Sequence, residues 1–171
     1  FYSLPRFCSR CGTSLVVESS VRHYPCPVCG LLHYRNPLPA VTVAAVRDGR
    51  ILLVERACSP GRGLHCLPGG FLELGETVED CAARELAEET GLSARSMKLR
   101  GVETDETEYG GIMLAVMEAV GLEGTPVPGD DASDMPGAAL RWIATAGPAG
   151  LEDRLETILS QAFAPLVVHV P

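Results

Sequence analysis

The 171-residue sequence predicts an α+β protein in which a small four-cysteine zinc ribbon precedes one larger domain. Three observations point there. Two Cys-x-x-Cys pairs fall within the first 29 residues. Short apolar runs separated by turn residues follow from position 40. One acid-rich segment, 77–90, carries helix caps at both ends.

The ribbon spans residues 1–36. Cys8-Ser-Arg-Cys11-Gly and Cys26-Pro-Val-Cys29-Gly form two knuckles with fourteen residues between the inner cysteines. Four thiolates so spaced are a structural, tetrahedral Zn²⁺ pattern. Disulfides would need an oxidising compartment, and free buried thiols would not need this spacing. The glycine after each second cysteine lets the chain turn so that amides point at sulfur. About thirty residues with few apolar side chains hold no core unaided, so zinc would fold the module. Four cysteines complete the shell, so His23 and His33 read as surface or packing residues and the ion as structural. Four arginines and one acid give residues 1–36 a charge of +3, which a zinc–tetrathiolate centre lowers by about two. That leaves a weak footprint for nucleic acid.

The larger domain, 37–171, follows a linker at Asn36-Pro-Leu-Pro39. Ala40–Val46 reads as a buried strand, Arg47–Arg50 as a hairpin turn and Ile51–Arg56 as the partner strand. A loop over 57–66 follows. Further strands are expected at Leu99–Thr107 and Ile112–Val120, joined around Gly110-Gly111, and at Ala139–Ile143 after a Pro/Gly/Asp-rich loop at 123–137. Leu151, Leu155, Ile158, Leu159, Ala162 and Phe163 recur with helical spacing, and Pro165 closes that helix. No apolar run reaches eighteen residues, so no transmembrane helix is expected. The start, Phe-Tyr-Ser-Leu-Pro-Arg, has no signal-peptide pattern, and the expected location is cytoplasmic. It also lacks an initiator Met, as a trimmed N-terminus would.

The chemistry concentrates between Pro68 and Leu92. Pro68-Gly69-Gly70 demands an irregular backbone able to approach a ligand closely. The helix starts at Thr77 as N-cap, with Glu79 and Asp80 in its positive first turn, and Gly91 ends it. With Glu85 at zero, Glu89 falls near about +40° and Glu88 near about −60°, so the three share one stripe. Ala82, Ala83 and Leu86 form the adjoining face expected to be buried. Three such carboxylates raise one another's pKa unless a cation sits among them, and they suit Mg²⁺ or Mn²⁺. A Glu-Glu pair alone reads more readily as a solvated helix face.

The whole pattern reverses that preference. Gly70, five residues, Glu76, seven residues, Arg84-Glu85-Leu86, one residue, Glu88-Glu89, one residue, Gly91-Leu92 resembles the Nudix box at every defined position. The resemblance implies an α/β/α sandwich with a mixed sheet that hydrolyses a nucleoside diphosphate linked to another moiety. It implies that Glu85 and Glu89 are the principal Mg²⁺ or Mn²⁺ ligands, completed by Glu88 and the Gly70 carbonyl. Arg84 would orient a glutamate, and Glu76 would brace the loop. Metal ions would neutralise charge on the diphosphate and acidify the attacking water. The proton acceptor is a box glutamate or a downstream acid. Asp130, Asp131 and Asp134 are candidates that read equally as loop solubility, and Glu103, Glu106 and Glu108 share that ambiguity.

A zinc ribbon before such a box is similar to NADH pyrophosphatases and to a branch of ADP-ribose and FAD pyrophosphatases. The Ser-Gln-Pro-Trp-Pro-Phe-Pro stretch of the NADH enzymes is missing, as is the proline that follows the box in many ADP-ribose enzymes. Tyr109 stands roughly where diadenosine-polyphosphate hydrolases place a tyrosine. Tyr109 and Trp142 are the candidates for stacking on a base, with a core role as the alternative. His65 replaces a tryptophan common before the box, and Cys58, Cys66 and Cys81 read as packing residues. The expected partner is a small nucleotide, with ADP-ribose or FAD ahead of dinucleoside polyphosphates, NADH and (d)NTPs. Residues 37–171 hold ten bases and twenty-one acids, which argues against a nucleic-acid polymer. A nucleotide sensor that does not cleave usually lacks a box acid, whereas all stand here. The apolar Leu166–Val170 would support a homodimer.

Overall fold

The computed structural model describes residues 6–16, 23–56, 63–107, 110–127 and 140–144. It divides into two compact units, Phe1–Leu38 with Thr104–Ile112, and Pro39–Glu103 with Met113–Pro171.

In the first unit, β1 (His23–Pro25) pairs antiparallel with β2 (Leu32–Tyr34), placing Tyr24 opposite His33. These short strands were not predicted; three residues each give no alternation to read. Cys8, Leu15, Tyr24 and Cys26 are its buried core cluster, too small to sustain a fold without a cross-link. His33 stacks on Tyr24 with ring centroids 5.6 Å apart, and exposed His23 lies 5.7 Å from the Tyr34 ring, so both histidines are packing or surface residues.

The second fold is α+β, a mixed six-stranded sheet with one helix among the described residues. It comprises β3 (Leu38–Arg47), β4 (Arg50–Glu55), β5 (His65–Cys66), α1 (Val78–Thr90), β6 (Ser93–Thr107), β7 (Gly110–Glu123) and β8 (Leu140–Ala144). The order is β5-β4-β3-β7-β6, with β8 on β4. β3 and β4 turn at Asp48-Gly49, where φ values of 51° and 66° are the left-handed pair of a type I′ hairpin. β3 is buried on both faces, which explains its apolar run from Ala40 to Val46, interrupted only by Thr42. On one face Val41, Val43, Ala45, Leu52 and Met117 pack with Cys81, Ala82, Leu86 and Leu92 into the main core.

Thr77 caps α1 in a reciprocal box with Asp80, and Gly91 ends it at φ 67°. Ala83 is exposed, contrary to expectation, while Cys81 and Thr90 are buried. Ala83 stands about 160° from Glu85, beyond the contact arc. Thr90 enters because its hydroxyl donates to the Leu86 carbonyl and accepts from the Leu92 N–H. β6 begins six residues before the predicted start, since an edge strand with one solvated face reads as polar sequence. β3 also takes in Leu38 and Pro39 from the expected linker; Pro39 contributes only its carbonyl, which accepts from Leu72 N–H at 3.2 Å. His65–Cys66, placed in a loop, pairs with β4. The predicted second helix, the C-terminal apolar segment offered as a dimer contact, and Cys58 lie outside the described residues. No helix among the described residues is long and apolar enough to cross a membrane.

Candidate functional site

The four ribbon cysteines converge, with their sulfur atoms all within 4.8 Å of one another. Cys8 Sγ lies 3.6 Å from Cys29 Sγ, and Cys11 Sγ 3.5 Å from Cys26 Sγ. Tetrahedral zinc with Zn–S near about 2.3 Å needs sulfurs about 3.8 Å apart, so the set fits Zn²⁺. The knuckles repeat each other. Gly12 N–H donates to Cys8 O and Gly30 N–H to Cys26 O, at φ 72° and 71°. Those turns aim the next amides, of Thr13 and Leu31, at the sulfurs of Cys11 and Cys29. The Thr13 hydroxyl and amide hold the Cys11 thiol down at about 6, which favours the thiolate that zinc requires.

In the second unit, the glycine loop is laid against the first half of β3. Val43 N–H donates to Pro68 O at 2.7 Å and Val41 N–H to Gly70 O at 2.8 Å. A Cβ at Gly69 would stand 2.2 Å from Val41 O, so only glycine fits there without moving backbone. A Cβ at Gly70 would stand 2.3 Å from Glu85 Oε1. The absent side chain is therefore the space that the Glu85 carboxylate fills. Glu89 Oε2 accepts from Gly69 N–H at 3.0 Å. Helix and loop thus bring two carboxylates onto one stretch of glycine backbone.

A single guanidinium organises the rest. Arg84 donates to Glu76 through Nε and Nη2, to Glu85 Oε1 through Nη1 at 2.8 Å, and to Glu88 Oε2 through Nη1 at 3.0 Å. Its Nη2 also reaches Phe71 O at 3.2 Å. The cation among the carboxylates is the chain's own. Arg84 holds Glu76 down at about 2, aided by the Glu73 N–H, and is itself stabilised in the charged form by Glu76. Burial pushes the Glu85 carboxyl above its ordinary range, against the pull of Arg84. Cys81, beneath this network, approaches Phe71 O and Arg84 Nη2 at 3.5 Å each; burial pushes its thiol up to about 12. Neither Cys81 nor the Phe71 carbonyl was singled out as part of the network; a lone cysteine and a backbone oxygen leave no pattern to find.

A family model described as the NUDIX domain matches residues 36–157. The chain belongs to the Nudix family. The "NAD-capped RNA hydrolase NudC" of Vibrio parahaemolyticus is 36% identical over 96 residues, 56% of this chain and 36% of that protein. An "ADP-ribose pyrophosphatase" of Methanocaldococcus jannaschii is 39% identical over 103 residues, 59% of this chain and 61% of that protein. Among solved structures, a MutT NUDIX hydrolase from Burkholderia pseudomallei is 31% identical with a TM-score of 0.56, covering 70% of this chain and 95% of that one. A NUDIX hydrolase from Nitrosomonas europaea shares the fold at a TM-score of 0.64 and 24% identity, over 97% of both chains.

The Nudix box carboxylates fit a hard divalent ion by donor chemistry and by the Gly70 cradle. Among the described residues only the cysteine set has all its ligand atoms within 4.8 Å. Arg84 draws Glu85 and Glu88 one way while Gly69 N–H holds Glu89. The Gly70 carbonyl already accepts from Val41 and keeps one lone pair. The structure places Trp142 away from the glycine loop. Its ring lies beneath Arg47, 5.8 Å from the guanidinium carbon, at the other end of β3. Val41 to Arg47 is six residues of strand, roughly 20 Å. Tyr109, Glu108, Asp130, Asp131 and Asp134 lie outside the described residues, as does the Glu106 side chain; Glu103 is exposed on β6.

Proposed function

We propose that this chain is a Mg²⁺- or Mn²⁺-dependent Nudix pyrophosphohydrolase that cleaves the diphosphate of an ADP-linked compound, ADP-ribose or FAD in type. The single observation that carries the reading is the Glu85 and Glu89 carboxylates folded onto the Gly69-Gly70 backbone, with every box position intact. The aligned relatives, one of them named for ADP-ribose, support the substrate class. This chain spans about a third of the NudC relatives' length, so the activity is inferred and not carried across whole.

In this proposal Glu85, Glu88, Glu89 and the Gly70 carbonyl would hold the metal. Bound there, Mg²⁺ or Mn²⁺ would neutralise diphosphate oxygens and acidify water. Arg84 keeps Glu85 and Glu88 aligned until a ligand competes for them, and Glu76 fixes Arg84. Glu89 accepts from Gly69 N–H through Oε2, which holds its carboxylate against the glycine loop. A loop acid, Asp130, Asp131 or Asp134, is the alternative proton acceptor. Water added across the P–O–P bridge yields two phosphomonoesters, one a nucleoside monophosphate. The ribbon, 1–36, holds structural Zn²⁺ ahead of a catalytic domain at 37–171. Its reduced thiols fit a cytoplasmic setting.

The name "NAD-capped RNA hydrolase" on several relatives favours a second reading, in which the diphosphate belongs to a nicotinamide–adenine dinucleotide. A panel of ADP-ribose, FAD, NADH, diadenosine polyphosphates, dNTPs and a 5′-NAD-capped oligonucleotide, with Mg²⁺ and Mn²⁺ and products weighed by mass spectrometry, separates the two. Turnover of ADP-ribose or FAD supports the first reading. Faster cleavage of the dinucleotide or capped RNA transfers the assignment to the second, and no product from any compound refutes both.

A further inference from the structure

The core-side face of the sheet ends in an unusual set of side chains. Strand alternation puts Arg47 on the face of Val41, Val43 and Ala45, and puts Arg50 on the face of Leu52. Trp142 is directly opposite Leu52 in the β4–β8 register, so it shares that face. Where apolar residues give out, Arg47, Arg50, Trp142 and the turn residue Asp48 line a cleft of about 310 Å³. Arg47 is a fixed wall, lying over the indole and donating through Nη1 to Gly124 O at 3.0 Å. Arg50 is exposed and enters none of the ion pairs formed among the described residues. Two guanidiniums against one carboxylate stand out in a segment where acids outnumber bases twenty-one to ten.

We propose that this cleft is a second nucleotide site, at the opposite end of β3 from the glycine loop, that takes a nucleoside monophosphate. Trp142 packs against the main core and Arg47 lies over its ring, so a base would stack on the Arg47 guanidinium layered on the indole. Arg50 offers a guanidinium to the phosphate and Asp48 an acceptor for sugar hydroxyls. Asp48 also weighs against a bare, highly charged anion. The volume lies at the lower end of ligand pockets, roughly 300–1,000 Å³, which suits one nucleotide better than two. Hydrolysis as proposed above releases such a monophosphate, so the site would sense product. That source of ligand rests on the proposed activity, whereas binding does not.

Trp142 is the chain's single tryptophan, so its fluorescence reports this cleft directly. The full chain, with its ribbon zinc in place and no Mg²⁺ or Mn²⁺ added, is titrated with AMP, which has no diphosphate to hydrolyse. A saturable change in Trp142 emission is expected, weakened about tenfold or more in Arg50→Gln and unchanged in Glu89→Gln. Adenosine, lacking phosphate, should bind at least about tenfold more weakly. No saturable change up to millimolar AMP, equal binding of adenosine, or loss in Glu89→Gln with Arg50→Gln intact overturns the site. An enzyme inactive toward every substrate that still shows the Arg50-dependent change sinks only the proposed activity.

Discussion

The Arg84 guanidinium meets both oxygens of Glu76, Nε to Oε1 at 2.6 Å and Nη2 to Oε2 at 3.1 Å. Glu76 precedes the helix and Arg84 lies two turns into it, so this fork ties the loop to the ridge of acids. Because Nη1 of the same group touches Glu85 and Glu88, the aim of both carboxylates depends on how Glu76 holds Arg84. Glu76 also accepts from Glu73 N–H at 2.9 Å, which closes the loop on its own end. One acid therefore sets both loop shape and guanidinium position.

That fork carries a pH signature. Glu76 titrates at about 2 in the folded chain, below the ordinary glutamate value of about 4.3. A depressed folded pKa contributes stability that is fully present above the unfolded pKa and lost as pH falls through the folded one. Wild type should therefore lose stability between about pH 4.5 and 2 more steeply than Glu76→Gln, measured as urea midpoints. At neutral pH the variant should be the less stable. Parallel pH profiles would remove Glu76 from this role.

Much of this was legible in the chain. Thr77 and Gly91 marked the helix ends, and the Arg47–Arg50 turn marked the first hairpin, because caps and left-handed turns are written in single residues. The cysteine knuckles were readable for the same reason. The three-residue ribbon strands, the polar start of β6 and the exposure of Ala83 were not, since each depends on what packs alongside. At the site, spacing placed Glu85, Glu88 and Glu89 on one stripe. The grip of Arg84 on all three of Glu76, Glu85 and Glu88 required the fold, because Glu76 approaches through space from a loop. Trp142 shows the limit most plainly, since only the register of β8 on β4 puts it beside Arg47.

The two loop glycines should fail differently when replaced by alanine. At Gly69 the new methyl meets Val41 O at 2.2 Å and Thr42 Cα at 2.9 Å, both backbone of a buried strand. Gly69→Ala should cost about 1–3 kcal/mol of stability. At Gly70 the three nearest atoms the methyl meets all belong to the Glu85 carboxylate, the far end of a flexible side chain. Gly70→Ala should keep a near-wild-type melting temperature but need a higher Mg²⁺ concentration for half-maximal activity. Calorimetry and a Mg²⁺ titration of both variants decide the matter; equal stability losses would show that the Gly70 space is structural.

Glu89→Gln retains an oxygen for Gly69 N–H and so should leave the fold intact, while the second position loses its charge. Turnover should fall about 100-fold or more if that oxygen holds metal or takes the proton. Unchanged far-UV dichroism with unchanged turnover would refute the assignment of the ridge as a metal site.

Zinc removal tests the ribbon by itself. Its core cluster is Cys8, Leu15, Tyr24 and Cys26, so almost no apolar burial remains once the sulfurs are released. Structural zinc in comparable peptides supplies about 10–16 kcal/mol, more than such a module can replace. A strong chelator should therefore abolish amide protection at Gly12 and Gly30, whose N–H groups bond inside the knuckles, while Val41 and Val43 on β3 keep theirs. Cys26→Ser should do the same without chelator, because Cys26 is buried and its removal breaks the tetrahedron. Hydrogen exchange read by mass spectrometry resolves the two regions. Protection at both knuckles surviving chelation would mean that the four thiols are held by packing, with no ion needed to fold the ribbon.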